Sequence, residues 1–431
     1  MYIDFPPADV LVRGMDQIRI PSMVTVEQKY DPANIRDISS HIRRQMEDNL
    51  KNKGQYWNKR LCLTVGSRGI PHLDRIVRTV CDILKEWGAK PFIIPAMGSH
   101  GGATADGQKE VLAGYNITED SMGVPVLSSM DVVEYARLDD GTKLYCDKYA
   151  SESDGIILLN KVKPHTDFRG AHESGLAKMI AIGLAKHIGA SSFHRVGLDR
   201  FAGLIPKAAG KFLKLMPVAF GIGIVQNAYD ELCAIEVMEK EKIMEKDREL
   251  LVLAKEKIAK FKFDELDVLI IDEIGKNISG MGFDPNIVGR NNSGTRDFSK
   301  ILRLQKLFIR GLSEESHHNG AGIASADVTT RQCLRSVDWG TTWTNMITAT
   351  TLNGGRIPLY MNNDRQAILL AIRTCNGIDF EDVTLARIKN TLSMNEIEIS
   401  QSLYNKIKDR KDIHLIRGPH EMRFDEHDNL I

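Results

Sequence analysis

The chain has 431 residues, 42% of them hydrophobic, and its 57 basic residues balance its 57 acidic residues. A chain of this length predicts about two or three domains, and the balanced charge argues against a general nucleic-acid or membrane-surface binder. The six cysteines form no CxxC pair, which argues against an iron–sulfur cluster, a zinc ribbon and a disulfide framework. No signal peptide or membrane-length apolar run is visible, so we predict a cytoplasmic protein.

The first part of the chain alternates between strands, glycine-rich loops and helices. Residues 18–30 contain a candidate edge strand and residues 35–50 read as an amphipathic helix, and residues 60–112 then repeat strand, loop and helix twice. This alternation is typical of parallel βαβ architecture. The loops GSRG and MGSHGG both follow apolar strands, so we expect Arg68 and His100 at the carboxyl edge of one sheet, where ligands bind in open α/β folds.

A third apolar run, residues 156–159, leads into a polar loop that contains His165. A helical pattern follows, with Ser174 predicted as its N-cap, and it places Lys178 in the first turns. Because helix N-termini offer unpaired amide groups to anions, this position suits a cofactor or an acidic substrate. Three strand-to-helix loops would thus each bring a basic or imidazole group to one edge.

The remaining pattern predicts a second domain. We predict a helix over residues 205–215, a strand over 218–224 and a long charged helix over 236–263, after which a fresh apolar strand begins. The boundary is therefore placed between an N-terminal cofactor-binding catalytic domain, residues 1–263, and a C-terminal α/β domain, residues 264–431. The predicted fold class is α/β, with two α/β domains, mainly parallel sheets and the active site in the interdomain cleft.

Each candidate residue also has a plainer explanation. A histidine in a glycine-rich loop is most often a hydrogen-bonding turn residue, and a lysine on a helix is usually solvated. His194 could be a histidine satisfied near a helix end. The joint placement of these residues at one sheet edge is what favours a functional site.

Several of these segments together resemble a known family. GSRGIPH, AMGSHGG, KPHTDFRG, SGLAK and a histidine sixteen residues after that lysine are similar to the nickel-dependent lactate racemases, which interconvert 2-hydroxy acid stereoisomers. The resemblance covers roughly residues 55–200. It implies a nickel-pincer nucleotide, a pyridinium mononucleotide with two sulfur donors and one carbon donor, attached to Lys178 through a thioamide and completed by His194 as a nickel ligand.

The resemblance also implies the acid/base and substrate groups. His100 and His165 would be the acid/base pair, and Arg68 would hold the substrate carboxylate, which an arginine can do bidentately. Histidine suits the proton transfers because both of its protonation states are accessible near neutral pH. The predicted cofactor-binding residues besides Lys178 are Ser67, Gly98, Ser99 and Gly175.

Two departures from the family bear on the substrate. Val65 stands where the family has an acidic residue, and the segment DFRGAHESG is longer than in lactate racemases. We therefore expect a sugar acid such as an aldonate rather than lactate. Its hydroxyl groups would be bound by the polar residues of this segment, which are Asp167, Arg169, His172 and Glu173. The alternative explanation is a salt-bridged surface loop.

Two other functions remain open from the residues alone. One is a zinc-type metallohydrolase built on His100, His165 and His194, although no HExxH pattern is present. The other is a non-catalytic nucleotide- or anion-binding protein, which would need no second proton-transferring histidine. The expected partners are a small-molecule 2-hydroxy acid and the cofactor-synthesis enzymes, without nucleic acid or membrane, and the oligomeric state is left open.

Overall fold

The structure is a computed structural model that describes residues 1–10, 13–67, 69–292 and 298–431. The chain divides into two compact units. The first unit is Asp31–Ile258, and the second unit combines Met1–Tyr30 with Ala259–Ile431.

Fifteen strands are present in the described residues, and they are β1 (Met23–Gln28), β2 (Arg60–Val65), β3 (Lys90–Pro95), β4 (Val132–Arg137), β5 (Lys143–Asp147), β6 (Gly155–Lys161), β7 (Val218–Gln226), β8 (Leu232–Glu239), β9 (Glu265–Ile271), β10 (Arg303–Ile309), β11 (Val328–Thr330), β12 (Leu359–Met361), β13 (Leu385–Ile388), β14 (Glu396–Ser400) and β15 (Ile413–His420). The helices of the same residues are α1 (Ile38–Asn49), α2 (Leu73–Glu86), α3 (Ala105–Gly114), α4 (Glu119–Met122), α5 (Lys148–Ser151), α6 (Leu176–Lys178), α7 (Lys186–Val196), α8 (Phe201–Leu215), α9 (Ile243–Lys257), α10 (Pro285–Val288), α11 (Arg331–Ser336), α12 (Trp339–Thr348), α13 (Asp364–Arg373) and α14 (Gln401–Ile407). A π-helical segment, Met179–Gly183, separates α6 from α7.

The first unit is built on a five-stranded sheet in the order β3-β2-β6-β7-β8. The first four strands are parallel and β8 is antiparallel. Leu63 of β2 pairs with Ile93 on one side and with Ile157 on the other, so β2, β3 and β6 end at one edge, as predicted. Both faces of these strands are buried, one against α1 and α2 and the other against α6 to α9, which explains their continuous apolar runs.

The second unit contains an eight-stranded mixed sheet in the order β12-β11-β10-β9-β13-β14-β1-β15. The five strands from β12 to β13 are parallel, and β14, β1 and β15 continue the sheet by antiparallel pairing. The predicted α/β class with mainly parallel sheets is therefore confirmed. The interdomain position of the active site stays a prediction.

The N-terminal strand joins a sheet that the sequence did not indicate. Met23 of β1 pairs with Ser400 of β14 on one side and with His420 of β15 on the other. The strand therefore lies inside a sheet rather than at an edge, and Met1–Tyr30 belong with the second unit, unlike in the predicted division at residues 263 and 264. A strand pattern reports which face is buried, but it carries no information on the distant strand that pairs with it.

The predicted helix over residues 236–263 is wrong at both ends. Residues Leu232–Glu239 form β8, and the helix α9 begins at Ile243 and ends at Lys257. Ile235 and Val237 are buried while Glu236 between them is partly exposed, which is the period-two alternation of a strand. The charged residues concealed this alternation. In the described part of the chain, no helix has both the length and the apolar character needed to cross a membrane.

Candidate active site

Lys178 ends a single helical turn and is followed directly by the π-helical segment. The helix begins at Leu176 rather than at Ser174, because Ser174 forms an isolated bridge with Lys163 across the loop. The i to i+5 pattern that follows is visible in the hydrogen bond from the amide of Leu184 to the carbonyl of Met179, at 2.8 Å. Single π-helical turns occur frequently at functional sites.

The N-terminus of this helix is capped from a distant part of the chain. Asp247 of α9 accepts a hydrogen bond from the amide of Leu176 at 2.6 Å, and its second carboxylate oxygen lies 2.9 Å from Nδ1 of His172. A Cβ atom at Gly175 would lie 2.2 Å from Oδ1 of Asp247. Gly175, predicted to bind the cofactor, is therefore required by the cap itself, and the predicted Ser174 cap is wrong.

His165 contacts Lys178 directly. Nε2 of His165 lies 2.8 Å from Nζ of Lys178, and Nδ1 of His165 accepts a hydrogen bond from the amide of Asp167 at 3.0 Å. The imidazole packs against Phe168, with the ring centroids 4.3 Å apart. These contacts fix both the plane of the ring and the nitrogen that faces the lysine.

His194 of α7 belongs to the same cluster. Its ring lies 5.5 Å from that of Phe201, and Phe201 packs against Phe168 with centroids 5.6 Å apart. Within the described part of the chain, the buried Nδ1 of His194 has no hydrogen-bond partner. Burial, followed by the charge of Lys178, lowers the pKa of His194 from its ordinary value of 6.5. The ring is therefore neutral at neutral pH, the form in which histidine ligates metals.

His100 lies in the loop after β3, on the opposite side of β2 from the loop that contains His165. Its Nδ1 shares a short hydrogen bond with the hydroxyl of Ser67, and the carbonyl of Ser67 accepts a hydrogen bond from the hydroxyl of Tyr115 at 2.8 Å. Ser67, predicted to bind the cofactor, thus also orients a predicted acid/base group. Gly98 adopts φ +60°, and Ser99 beside His100 is exposed.

The predicted sugar-binding residues divide into two pairs. His172 and Glu173 are buried and engaged within the protein: His172 pairs with Asp247, and Glu173 accepts hydrogen bonds from Lys255 at 2.6 Å and from the amide of His165 at 2.8 Å. These contacts place both side chains against α9 and in support of the loop, so the structure gives no support to their predicted contact with substrate. Asp167 and Arg169 keep about a quarter of their side chains exposed, at 25% and 23%. Arg68 lies outside the described residues.

Three buried polar residues beside this edge were missed from the sequence. Lys186, at the start of α7, is fully buried, and its Nζ donates to the carbonyl of Pro95 at 2.6 Å and to Oε1 of Gln108 at 3.0 Å. Its Nζ also lies 3.1 Å from Oδ2 of the buried Asp147. Gln108 shares the buried face of α3 with Leu112, and this i, i+4 spacing is the signal that could have identified it.

The three histidines of the metallohydrolase alternative do not form a metal site. No group of three or more His, Cys, Asp or Glu side chains among the described residues is arranged to hold a metal ion. A zinc hydrolase needs about three protein ligands around its metal. That alternative therefore has no geometric support, whereas a metal held mainly by its own organic ligand would need a single imidazole.

The architecture and this site define an α/β protein with a lactate racemase-like domain. Residues 39–201 match the family model described as the lactate racemase N-terminal domain. This region is therefore similar to the lactate racemase N-terminal domain, as its motifs predicted.

Solved structures extend the likeness beyond this region. The lactate racemase apoprotein from Thermoanaerobacterium thermosaccharolyticum superposes with a TM-score of 0.51 at 13% identity, covering 86% of this chain and 99% of that chain. A protein from Thermotoga maritima gives a TM-score of 0.51 at 13% identity, over 83% of this chain and 96% of that chain. At this identity the likeness shows a shared fold. No curated protein sequence matches the chain significantly.

Proposed function

We propose that this protein is a racemase or epimerase that inverts C2 of a 2-hydroxy acid with the help of a nickel-pincer nucleotide. The observation that carries the proposal is the cluster formed by Lys178, His165 and His194, with the Lys178 amine 2.8 Å from the His165 imidazole. The cluster lies within the region that matches the lactate racemase domain. That match supports an isomerase of this general class.

The side chains of the cluster fit such a cofactor. Among the residues that the structure describes, the buried Nδ1 of His194 has no hydrogen-bond partner, and burial favours the neutral ring. It would serve as a nitrogen ligand, and imidazole is a good ligand for nickel. The amine of Lys178 is the nucleophile that would form the covalent attachment. When bound, the nucleotide supplies a reversible acceptor for the hydrogen on C2.

The protein's own residues then handle the proton and the substrate. Nδ1 is engaged in both acid/base histidines, by Ser67 in His100 and by the amide of Asp167 in His165, so we assign proton transfer to Nε2 in each. One ring would accept the hydroxyl proton of one stereoisomer, and the other ring would donate the proton that completes the hydroxyl group of the opposite stereoisomer. Arg68 is proposed to bind the substrate carboxylate. Asp167 and Arg169 are proposed to contact a polyhydroxylated tail.

Intact-mass spectrometry with nickel analysis tests the cofactor assignment. The protein would be produced together with the cofactor-synthesis enzymes, and the wild type compared with Lys178→Ala and with Lys163→Ala, a matched lysine of the same loop. We expect an adduct and stoichiometric nickel in the wild type and in Lys163→Ala, and neither in Lys178→Ala. An absence of both from the wild type, under conditions that load an authentic lactate racemase, would refute the assignment.

Substrate assays on the loaded protein test the proposed reaction. Chiral chromatography would follow D- and L-lactate beside gluconate and its C2 epimer, and we expect epimerisation of the aldonate. Efficient racemisation of lactate alone would refute the sugar-acid assignment while leaving the reaction class intact. Full cofactor loading without turnover of any 2-hydroxy acid would favour the non-catalytic binding protein.

A further inference from the structure

Two of the loops that form the candidate site are joined by a buried polar network. We define the Lys186 clamp as Lys186, Asp147 and Gln108, all of which are completely buried. A lysine ammonium has three donor hydrogens, and three oxygen atoms surround this one, from Pro95, Gln108 and Asp147. A buried lysine is costly unless its charge is paired and its donors are satisfied. Here Asp147 supplies the opposite charge, and the carbonyl of Pro95 and Oε1 of Gln108 accept hydrogen bonds from two of the donors.

The clamp reaches the His100 loop through Gln108. Nε2 of Gln108 donates to the carbonyl of Gly98 at 2.9 Å and to the carbonyl of His100 at 3.3 Å. Because its Oε1 accepts from Lys186, the orientation of the Gln108 amide is set by the lysine. Gln108 therefore holds the backbone of His100 through a hydrogen bond, while Ser67 holds its ring.

The clamp also reaches the segment that follows Lys178. Gly98 donates its amide to the carbonyl of Gly183 at 3.1 Å, and the amide of Asp147 donates to the carbonyl of Leu184 at 2.7 Å. A Cβ atom at Gly183 would lie 2.6 Å from the carbonyl oxygen of Ala96, so the end of β3 and the π-helical segment approach closely here. The same three residues thus fix the His100 loop and the Lys178 segment against one another.

We propose that Gln108 and Lys186 are positioning residues, which set the His100 imidazole relative to Lys178 without touching the substrate. This inference deepens the proposed isomerase function and rests on it for its catalytic meaning. The geometric part stands by itself and can be tested on the protein without cofactor. Burial raises the pKa of Asp147 and lowers that of Lys186, while each charge opposes the shift of the other.

The sharpest variant is Gln108→Glu, which keeps an acceptor for Lys186 but removes both donors to the His100 loop. Gln108→Met, which removes all three contacts at similar size, is the second variant. Gln45→Glu is the matched control, because Gln45 of α1 accepts a hydrogen bond from the amide of Val237 and takes no part in the clamp. Thermal unfolding would confirm that each variant is folded.

The first readout is the ¹⁵N NMR spectrum of the His100 imidazole in the apoprotein. We expect one fixed tautomer in the wild type and in Gln45→Glu, and a mixture typical of a free histidine in both Gln108 variants. An unchanged tautomer in the folded Gln108 variants would overturn the proposal. This readout does not depend on the enzymatic activity.

The second readout separates kcat from KM in the loaded enzyme. A misplaced acid/base group lowers the rate by about 100-fold, so we expect kcat to fall by that order with KM nearly unchanged in Gln108→Glu. Equal kcat values in Gln108→Glu and Gln45→Glu would contradict a positioning role. If the wild type turned over no 2-hydroxy acid, the proposed function would fail while the tautomer measurement still decided the positioning.

Discussion

Nε2 of His165 lies 2.8 Å from Nζ of Lys178, while Nδ1 of the same ring accepts the amide hydrogen of Asp167. The loop therefore places an imidazole rather than a carboxylate against the amine. A carboxylate would stabilise the charged form of a lysine, whereas an imidazole adds no negative charge. The contact is thus compatible with the nucleophilic amine that a covalent attachment requires.

The first prediction follows from this contact. In the apoprotein, Lys178 should react with a limiting amount of acetic anhydride faster than the surface lysines, and His165→Gln should slow this reaction. Peptide mass spectrometry at several times measures the acetylation of each lysine. His187→Gln serves as the control, because His187 is an exposed histidine of α7. Equal acetylation rates for Lys178 in the wild type and in His165→Gln would argue against an effect of the His165 contact on the reactivity of this amine.

The second prediction concerns the cap supplied by Asp247. Asp247→Asn removes the charge that binds the amide of Leu176 and the ring of His172. We expect the free energy of unfolding to fall by about 1–3 kcal/mol, the cost of weakening a charged hydrogen bond at a buried site. Urea denaturation measures this change. Glu249→Gln is the control on the same helix, because Glu249 is exposed and only its surface ion pair with Lys246 is lost.

The third prediction compares two glycines. Gly175→Ala should destabilise the protein by about 1–3 kcal/mol through overpacking, since the new Cβ atom would lie 2.2 Å from Asp247. Gly210→Ala should stabilise it by about 0.5–1 kcal/mol, because this residue lies inside α8 and, among the described residues, the added methyl group would meet no atom within 4 Å outside the local helix backbone. Equilibrium unfolding of both variants measures the contrast, and similar effects at the two sites would contradict the tight fit at Gly175.

The fourth prediction concerns pH. The pKa of His194 is lowered in the folded protein, so below its ordinary value of 6.5 the unfolded chain binds more protons than the folded chain at this residue. The folded state therefore loses stability as the pH falls from about 7 toward about 5. His194→Asn should flatten this part of the stability profile. Exposed His427 is the control, since His427→Asn should leave the profile unchanged, and a parallel profile for His194→Asn would show that its titration is not linked to folding.

Some residues of the site are placed by local sequence patterns, and others are placed by contacts with residues that are distant in the chain. Local periodicity placed Lys178 in a helix after a loop, and strand alternation brought the loops of His100 and His165 to one edge of the sheet. The contact between His165 and Lys178 needed the folded loop, in which Glu173 holds the backbone of His165. His172 and Glu173 look like substrate contacts in the sequence because their type is polar, yet each forms an ion pair or hydrogen bond with a charged side chain of α9.

The sequence by itself determined the α/β class, the parallel order of strand, loop and helix, and the identity of the histidine and lysine residues at the candidate site. These features depend on which face of each element is apolar, and this information is written in neighbouring residues. The tertiary structure alone decided that β1 joins the second unit, that Asp247 caps the Lys178 helix and that Lys186 is buried with Asp147 and Gln108. Each of these depends on a partner far away in the chain, because a buried charge or an unpaired strand is satisfied by whichever group the fold brings within contact.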